Sequence, residues 1–185
     1  MEIVFVAPEI PHNTGCAARL SAALGLRLHL VEPLGFSLED HYLKRAGLDY
    51  WPLVDLVVHR SLAEAAKSLA RGHARPFDER LRLFTARGGA SLFETAFQED
   101  DLLLFGCESR GLPEELLLRH PDRRVYVPIL RSVRSLNLAN VVCLSTYTAM
   151  VRAGLPLPPN DGVYEAHPSA EKDVRPSSRV VRADA

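Results

Sequence analysis

The sequence lacks the features that mark membrane, secreted and disulfide-stabilised proteins. No apolar run in its 185 residues reaches the roughly 18 residues that a membrane-spanning helix needs. Residues 1–6 carry no basic leader and are typical of a strand. The three cysteines, Cys16, Cys107 and Cys143, show no C-x-x-C spacing, so we expect small buried side chains rather than a disulfide framework or a zinc site. These absences predict a cytoplasmic protein without membrane contact.

The common motifs for phosphate binding, metal binding and nucleophilic catalysis are also absent. No G-x-G-x-x-G follows the first predicted strand, and there is no Walker A sequence. The seven histidines are scattered without H-x-x-x-H or H-E-x-x-H spacing, so we expect no metal. No G-x-S-x-G nucleophile elbow occurs.

The charge balance does not single out a nucleic-acid partner. Lys and Arg number 22 against 23 Asp and Glu, for a net charge of -1. Lysine occurs only at Lys44, Lys67 and Lys172. The other basic residues are all arginine, which suits bidentate contact with phosphate. A codon bias toward arginine accounts for most of this excess of arginine over lysine. Local clusters carry more information, at residues 123–124 and at Arg131 and Arg134.

Strand-like and helix-like patterns alternate along the chain. The predicted strands are residues 3–6, 26–31, 54–58, 81–85, 101–105 and a short one starting at 125. The predicted helices are residues 14–24, 37–47, 61–70, 114–118 and 138–152. This alternation predicts the α/β class, with a mostly parallel sheet covered by helices on both faces. We expect residues 1–154 to form one domain, and residues 155–185 to form an extended or flexible tail, or one packed on a partner subunit.

Three polar loops each follow a predicted strand, at residues 11–19, 106–113 and 128–140. The carboxyl ends of parallel strands share one edge of a sheet, where α/β proteins bind ligands. In the third loop a strand leads through a basic segment to a helix start that Ser135 or Asn137 can cap. Such a helix start suits an anion or a nucleotide, although an ordinary strand–helix connection fits these residues equally well.

Taken together, the three loops resemble the signature motifs of the SPOUT class of RNA methyltransferases. The resemblance covers about residues 2–153. The motifs are N-x-G-x-x-x-R at Asn13, Gly15 and Arg19; G-x-E-x-x-G-[LI]-P at Gly106, Glu108, Gly111, Leu112 and Pro113; and S-x-N-L-x-N at Ser135, Asn137, Leu138 and Asn140. The flanking strings at residues 8–11 and 45–50 look like the TrmL type, which methylates the ribose 2′-OH of the wobble nucleotide 34 of tRNA.

The resemblance implies a fold, a cofactor and an assembly. The fold is an α/β domain whose C-terminal part forms a deep trefoil knot, a rare exception to unknotted topology. The active site lies at the interface of a homodimer. S-adenosylmethionine is the methyl donor, no metal takes part, and the cofactor contacts fall at Phe84, Gly106, Val127, Ser135 and Leu136. Phe84 stands where an aliphatic residue is expected.

The resemblance also implies roles for the polar residues of the motifs. Arg19 lies at the reacting hydroxyl, Asn13 shapes the first loop and contacts substrate, and Glu108 orients loop residues by accepting backbone N–H groups. Ser135 and Asn137 combine helix capping with ligand contact. Candidate phosphate contacts are Arg110, Arg131 and Arg134.

Three alternatives remain open from the sequence. The same chemistry on another tRNA or ribosomal RNA site is the nearest, because the motifs indicate the chemistry better than the target nucleotide. A non-catalytic RNA-binding or assembly factor is the second, and failure to bind S-adenosylmethionine would support it. A generic nucleotide-binding α/β protein is the third, although the phosphate-binding motifs are missing.

Overall fold

The fold is taken from a computed structural model that describes residues 1–38, 50–86, 88–160 and 162–163, and the backbone of 181–182. Residues 39–47 of the helix predicted at residues 37–47, and residues 45–49 of the 45–50 string, lie outside the described residues.

The described strands and helices alternate as the sequence predicts. The strands are β1 (Glu2–Val6), β2 (Leu28–Val31), β3 (Leu56–His59), β4 (Leu81–Phe84), β5 (Ala90–Ser91), β6 (Leu102–Phe105), β7 (Arg124–Tyr126) and β8 (Val181–Arg182). The helices are α1 (Pro11–Leu24), α2 (Leu62–Leu69), α3 (Phe77–Arg80), α4 (Glu114–Arg119) and α5 (Leu138–Arg152). Short 3-10 turns cover Trp51–Leu53 and Pro121–Arg123. The sequence did not indicate β5, α3 or these turns, since all of them are very short.

The strands form one sheet in the order β5-β7-β4-β6-β1-β2-β3-β8. The pairings of β1 with β2 and with β6, and of β4 with β6 and with β7, are parallel. The predicted α/β class with a mostly parallel sheet is therefore confirmed. The loops that follow β1, β6 and β7 emerge at the same edge. The second motif and the start of the third lie in the loops after β6 and β7, whereas the first motif, expected in a loop at residues 11–19, lies in the N-terminal part of α1, directly after the loop that follows β1.

Alternating side chains of the strands build a separate core on each face of the sheet. Ile3 and Phe5 pack on one face with Ala18 of α1 and Ala149 of α5. Val4 and Val6 pack on the other face with residues of α2 and α4, including Ala65, Leu69 and Leu116. Strands buried on both faces are near-continuously apolar, as LLLF of β6 is.

Helix α1 begins at Pro11, three residues before the predicted start at residue 14, so the predicted start was wrong. Proline is favoured in the first helical turn, because its missing N–H would have no partner there and its φ is already helical. The helix ends as expected at Gly25, which has a left-handed φ of 65°.

Helix α5 is capped by Asn137, whose side chain accepts hydrogen bonds from the backbone N–H groups of Ala139 and Asn140. This decides between the two cap candidates, Ser135 and Asn137. Cys143 is exposed on α5, so the expectation of three buried cysteines was wrong for this one; Cys107 is buried and Cys16 is partly buried. Cys143 adjoins the exposed Leu144 on the outward side of the helix.

Part of the region expected to be a tail pairs with the sheet. Val181 and Arg182 form β8, which lies parallel to Val57 and Val58 of β3 and so covers the edge of the sheet. Among the helices that the structure describes, none is both long and apolar enough to cross a membrane.

Candidate active site

A cavity of 350 Å³ opens at the edge of the sheet where β4, β6 and β7 end. The second and third motif loops supply most of its wall, and Phe84 and Phe105 supply aromatic surface. The Phe84 and Phe105 rings are stacked, with centroids 4.5 Å apart and planes inclined by 14°. All five residues that the resemblance assigns to the cofactor line this one cavity: Phe84, Gly106, Val127, Ser135 and Leu136.

The second loop is folded back on itself beneath the cavity. Gly111 has a φ of +77°, and its N–H donates to the Cys107 carbonyl at 2.8 Å. This turn brings Gly111 and Leu112 so close to Gly106 that a Cβ on Gly106 would lie 1.9 Å from the carbonyl carbon of Gly111. A side chain at position 106 is therefore excluded by the backbone itself, which explains the glycine in the motif.

Glu108 joins the second loop to the first. Its carboxylate accepts hydrogen bonds from the backbone N–H of Glu9 at 2.8 Å and of Ile10 at 3.3 Å, and from Nδ2 of Asn13 at 2.8 Å. The two backbone donors lie at the N-terminal end of α1, where unpaired N–H groups and the helix dipole favour a negative charge. The carboxylate thus fixes the start of α1 against the cavity wall.

Asn13 extends this connection to the third loop. Its side chain is 1% exposed, and its Oδ1 accepts a hydrogen bond from Nδ2 of Asn137 at 3.1 Å. Asn137 in turn caps α5. The predicted residues Asn13, Glu108 and Asn137 therefore form one continuous hydrogen-bonded chain that holds the three loops together.

A second contact between the first two loops involves a residue that the motifs do not mark. Glu9 accepts hydrogen bonds from the Ser109 hydroxyl at 2.7 Å and from the Ser109 backbone N–H at 3.0 Å. These bonds, the side-chain bond foremost, hold the pKa of Glu9 below its ordinary value. The only sequence signal for Glu9 was its place in the flanking string at residues 8–11.

The remaining predicted residues fall into two groups. Arg110 and Arg134 line the cavity, and Arg134 donates from Nη2 to the Ser109 carbonyl at 3.2 Å. Arg131 is exposed on the same loop but does not line the cavity. Arg19 is exposed on α1 and is likewise absent from the cavity wall. Its guanidinium carbon lies 4.1 Å from the centroid of the Tyr50 ring.

The cavity wall is mostly uncharged and offers both apolar surface and backbone polar groups. Residues that the motifs did not indicate also line it, namely Thr85, Ala86, Cys107, Leu117, Ile129 and Val141. Within the described parts of the chain, no group of three or more His, Cys, Asp and Glu side chains is arranged to hold a metal ion. The arrangement suits a small organic ligand held by the loops that follow β4, β6 and β7.

Comparison with known proteins identifies the family. A model of the SpoU rRNA Methylase family matches residues 1–147. The chain belongs to this family. A tRNA (cytidine(34)-2'-O)-methyltransferase of Methylovorus glucosotrophus is 46% identical over 149 residues, which is 80% of this chain and 92% of that protein. The protein of the same name from Burkholderia ambifaria is 44% identical over 153 residues, covering 82% of this chain and 95% of its own.

Solved structures agree with this SpoU methylase assignment. One, described as giving structural insights into the 2-OH methylation of C/U34 on tRNA, superposes with a TM-score of 0.75 at 51% identity, covering 83% of this chain and 95% of that one. The SpoU methyltransferase AviRb from Streptomyces viridochromogenes, in complex with AdoMet, gives a TM-score of 0.71 at 25% identity, with coverages of 82% and 57%. The resemblance to SPOUT methyltransferases is therefore confirmed.

Proposed function

We propose that this protein is an S-adenosylmethionine-dependent methyltransferase that acts on the ribose 2′-OH of nucleotide 34 of tRNA. The observation that carries the proposal is the single cavity walled by the second and third motif loops and tied to the first loop through Glu108 and Asn13. The names of the relatives support the tRNA substrate and the position 34. A tRNA substrate also favours the cytoplasm as the compartment.

The cavity fits the cofactor in size and chemistry. Small-molecule sites enclose about 300–1,000 Å³ and combine apolar walls with a few polar groups, and this cavity has 350 Å³. Phe84 and Leu136 offer apolar surface, and the backbone at Gly106 and Val127, with the Ser135 hydroxyl, offers polar contacts. S-adenosylmethionine supplies an activated methyl group on its sulfonium, so this transfer needs no metal.

Arg19 has a charge-stabilising role rather than that of a base. A guanidinium stays protonated in proteins, so it cannot accept the proton of the 2′-OH. We assign to Arg19 the binding of the nucleotide phosphate and the stabilisation of the developing alkoxide. The phosphate or a water accepts the proton. Placing the hydroxyl correctly contributes up to about 7–11 kcal/mol in favourable cases.

We further propose a homodimer in which the active site is completed across the interface. Arg19 is exposed and lies off the cavity wall of its own chain. Helix α5 borders the cavity through Leu138 and Val141. Farther along, it exposes an apolar row with helical spacing, with Leu144 at 40%, Tyr147 at 39% and Val151 at 60% exposure. A second copy packed on this row would bury it and bring its own Arg19 toward the cavity.

A dimer would also explain how a chain with a net charge of -1 can bind the negatively charged RNA backbone. Arg110, Arg131 and Arg134 are exposed in the loops around the cavity. Two copies would double this cluster and provide a wider basic surface for an anticodon stem-loop. The deep trefoil knot expected for the C-terminal part belongs to the same proposal.

The proposal is tested by methyl transfer from labelled S-adenosylmethionine to unmodified tRNA, followed by nucleoside analysis. Label in a 2′-O-methyl nucleoside at position 34 is the expected result. Label elsewhere in the tRNA, or in ribosomal RNA offered in parallel, would support the proposed methyl transfer but show that nucleotide 34 is not its target. A protein that does not bind S-adenosylmethionine at all would reject the enzyme. Arg19→Lys should lower kcat strongly but leave it measurable, whereas Arg27→Lys, at an exposed arginine paired with Asp55, should leave kcat unchanged.

The shared site is tested by mixing two inactive variants. Arg19→Ala removes the proposed substrate contact, and Leu136→Glu places a charge in the cavity. If each site combines the cavity of one chain with Arg19 of the other, mixed dimers regain activity because one of their two sites is intact. No recovery in mixtures that are shown to exchange subunits would contradict the shared site. Sedimentation of the Leu144→Glu Val151→Glu double variant tests the interface itself, with a monomer expected.

A further inference from the structure

The guanidinium carbon of Arg19 lies over the face of an aromatic ring supplied by a different part of the chain. This carbon, Cζ, lies 4.1 Å from the centroid of the Tyr50 ring, well inside the roughly 6 Å over which a cation is attracted to the face of an aromatic ring. Arg19 is an exposed residue of α1, and Tyr50 is partly buried immediately before the Trp51–Leu53 turn. Tyr50 belongs to none of the three motifs.

We propose that Tyr50 is a positioning residue that holds the Arg19 guanidinium in the orientation used for methyl transfer. This inference rests on the proposed function, in which Arg19 contacts the nucleotide. It extends that function by assigning a second residue, outside the motifs and outside the cavity wall, to the same step.

The backbones on both sides of the stack are fixed by the core. Arg19 is flanked by Ala18 and Leu20, which are 0% and 9% exposed. Trp51, next to Tyr50, is 6% exposed and belongs to the same core cluster as these two residues. The Tyr50 carbonyl accepts a hydrogen bond from the Leu53 N–H at 2.8 Å. The ring is therefore presented to Arg19 by a rigid support rather than by a chance surface contact.

The geometry of stacking explains why this contact would help catalysis. If the guanidinium lies flat on the ring, the contact uses none of its N–H donors, because these all point outward in the guanidinium plane. Those donors stay available for phosphate and ribose oxygens. Stacking also restricts a side chain that otherwise has many rotamers, so less freedom is lost when the substrate contact forms.

The first test compares Tyr50→Leu with Tyr50→Phe in steady-state methyl transfer to tRNA. Tyr50→Leu removes the ring, and a cation–π contact of this kind corresponds to a decrease of about 2- to 30-fold in kcat. Tyr50→Phe keeps the ring and should stay within about twofold of the wild type. The KM for S-adenosylmethionine should be unchanged in both variants, because Tyr50 does not line the cavity.

Phe93→Leu is the matched control, since Phe93 is an aromatic residue that is 52% exposed and lies outside the cavity wall. It should leave kcat at the wild-type value. Equal losses in Tyr50→Leu and Tyr50→Phe, or wild-type kcat in Tyr50→Leu, would overturn the proposal.

A double-mutant cycle with Arg19→Lys separates positioning from general stability. A lysine ammonium cannot stack as a flat group, so Tyr50→Leu should cost less in the Arg19→Lys background than in the wild type. The same loss in both backgrounds would show that Tyr50 does not act through Arg19.

The stack itself is tested by NMR, independently of activity. Side-chain protons of Arg19 should be shifted upfield by the ring current of Tyr50, in the wild type and in Tyr50→Phe but not in Tyr50→Leu. Absence of this shift in the wild type would overturn the inference even if the enzyme methylates tRNA. A clear shift in a protein that transfers no methyl group would support the stack and reject the proposed function instead.

Discussion

The side chain of Asn13 donates a hydrogen bond from Nδ2 to Oε1 of Glu108 at 2.8 Å and so joins two loops that are 95 residues apart in the chain. On its other side the same amide accepts a hydrogen bond from Asn137. A buried amide with both polar atoms engaged fixes the relative position of all three motif loops. The cavity depends on this connection, because its wall is assembled from loops and not from a single element.

Asn13→Ala should lower both stability and cofactor affinity. It removes the hydrogen bonds with Oε1 of Glu108 and with Nδ2 of Asn137, and each such bond contributes about 0.5–1.5 kcal/mol. Urea denaturation and calorimetric titration with S-adenosylmethionine measure the two effects. Asn160→Ala is the control: Asn160 is exposed and bonds only the nearby Gly162 N–H among the described contacts, so a change below about 0.5 kcal/mol is expected. An Asn13→Ala protein as stable as the wild type would show that the three loops are held by other contacts.

Gly106→Ala should prevent cofactor binding while Gly25→Ala should not. The added Cβ at position 106 would lie 1.9 Å from the Gly111 carbonyl carbon and 2.0 Å from the Leu112 nitrogen, and such overpacking costs about 1–3 kcal/mol or more. At Gly25 the Cβ meets no atom within 4 Å, and only the left-handed φ of 65° opposes it, at about 1–2 kcal/mol. Both variants lose stability, so cofactor affinity is the deciding measurement. Normal affinity in Gly106→Ala would mean that the second loop tolerates displacement.

Stability should fall between pH 6.5 and pH 4.5 because of His59. His29 Nε2 lies 2.7 Å from the Glu2 carboxylate and its Nδ1 lies 2.8 Å from His59 Nε2. If His29 donates to Glu2, its Nδ1 must accept from His59, and His59 Nδ1 is then a buried acceptor; no partner for it occurs among the described residues. Burial is the main cause that lowers the pKa of His59 from 6.5 to about 4, and repulsion from His29 whenever that ring is protonated acts in the same direction.

The direction of this pH effect on stability follows from proton binding at His59 in the folded and unfolded states. Below pH 6.5 the unfolded chain binds a proton at His59 that the folded protein does not bind until about pH 4, so acid favours unfolding, by up to about 3 kcal/mol across this range. Glu64, also near His59, opposes this shift. In Glu2, burial raises the pKa but the His29 hydrogen bond lowers it below 4.5, so the contribution of Glu2 to stability is lost only at lower pH.

Urea midpoints at several pH values should decline less steeply in His59→Gln, which keeps an N–H donor, than in the wild type or in a variant of the exposed His12. An equal decline in all three would assign the acid sensitivity to other groups.

Neutralising Arg131 and Arg134 should flatten the salt dependence of tRNA binding. Each phosphate contact contributes about 0.7–0.9 to the slope of log affinity against log salt. The Arg131→Gln Arg134→Gln variant should therefore lose about 1.4–1.8 from the slope, as measured by filter binding at several ionic strengths. Arg27→Gln provides the comparison, because that arginine is paired with Asp55 and lies in none of the three motifs. An unchanged slope in the double variant would remove both arginines from the RNA interface.

The sequence by itself determined the fold class and indicated five of the residues that line the cavity. Apolar runs such as LLLF in β6 alternate with helical patterns, and that alternation permits little other than a parallel sheet covered on both faces. The three motifs, read through their resemblance to SPOUT enzymes, indicated the five cofactor positions that meet in one cavity. The local sequence was sufficient for such positions. Close backbone contact requires a glycine at position 106, and Asn137 is a residue type that commonly caps helices.

Only the tertiary structure decided how the motif residues are connected. Three of these connections join segments that are far apart in the chain. Asn13 lies between Glu108 and Asn137, Glu9 accepts hydrogen bonds from Ser109, and the Arg19 guanidinium lies over the Tyr50 ring. The start of α1 at Pro11 and the exposure of Cys143 were also decided at this level. Periodicity records which side of an element is apolar, but hydrogen bonds between loops depend on where the sheet places the ends of β1, β6 and β7, and no local pattern encodes those distances.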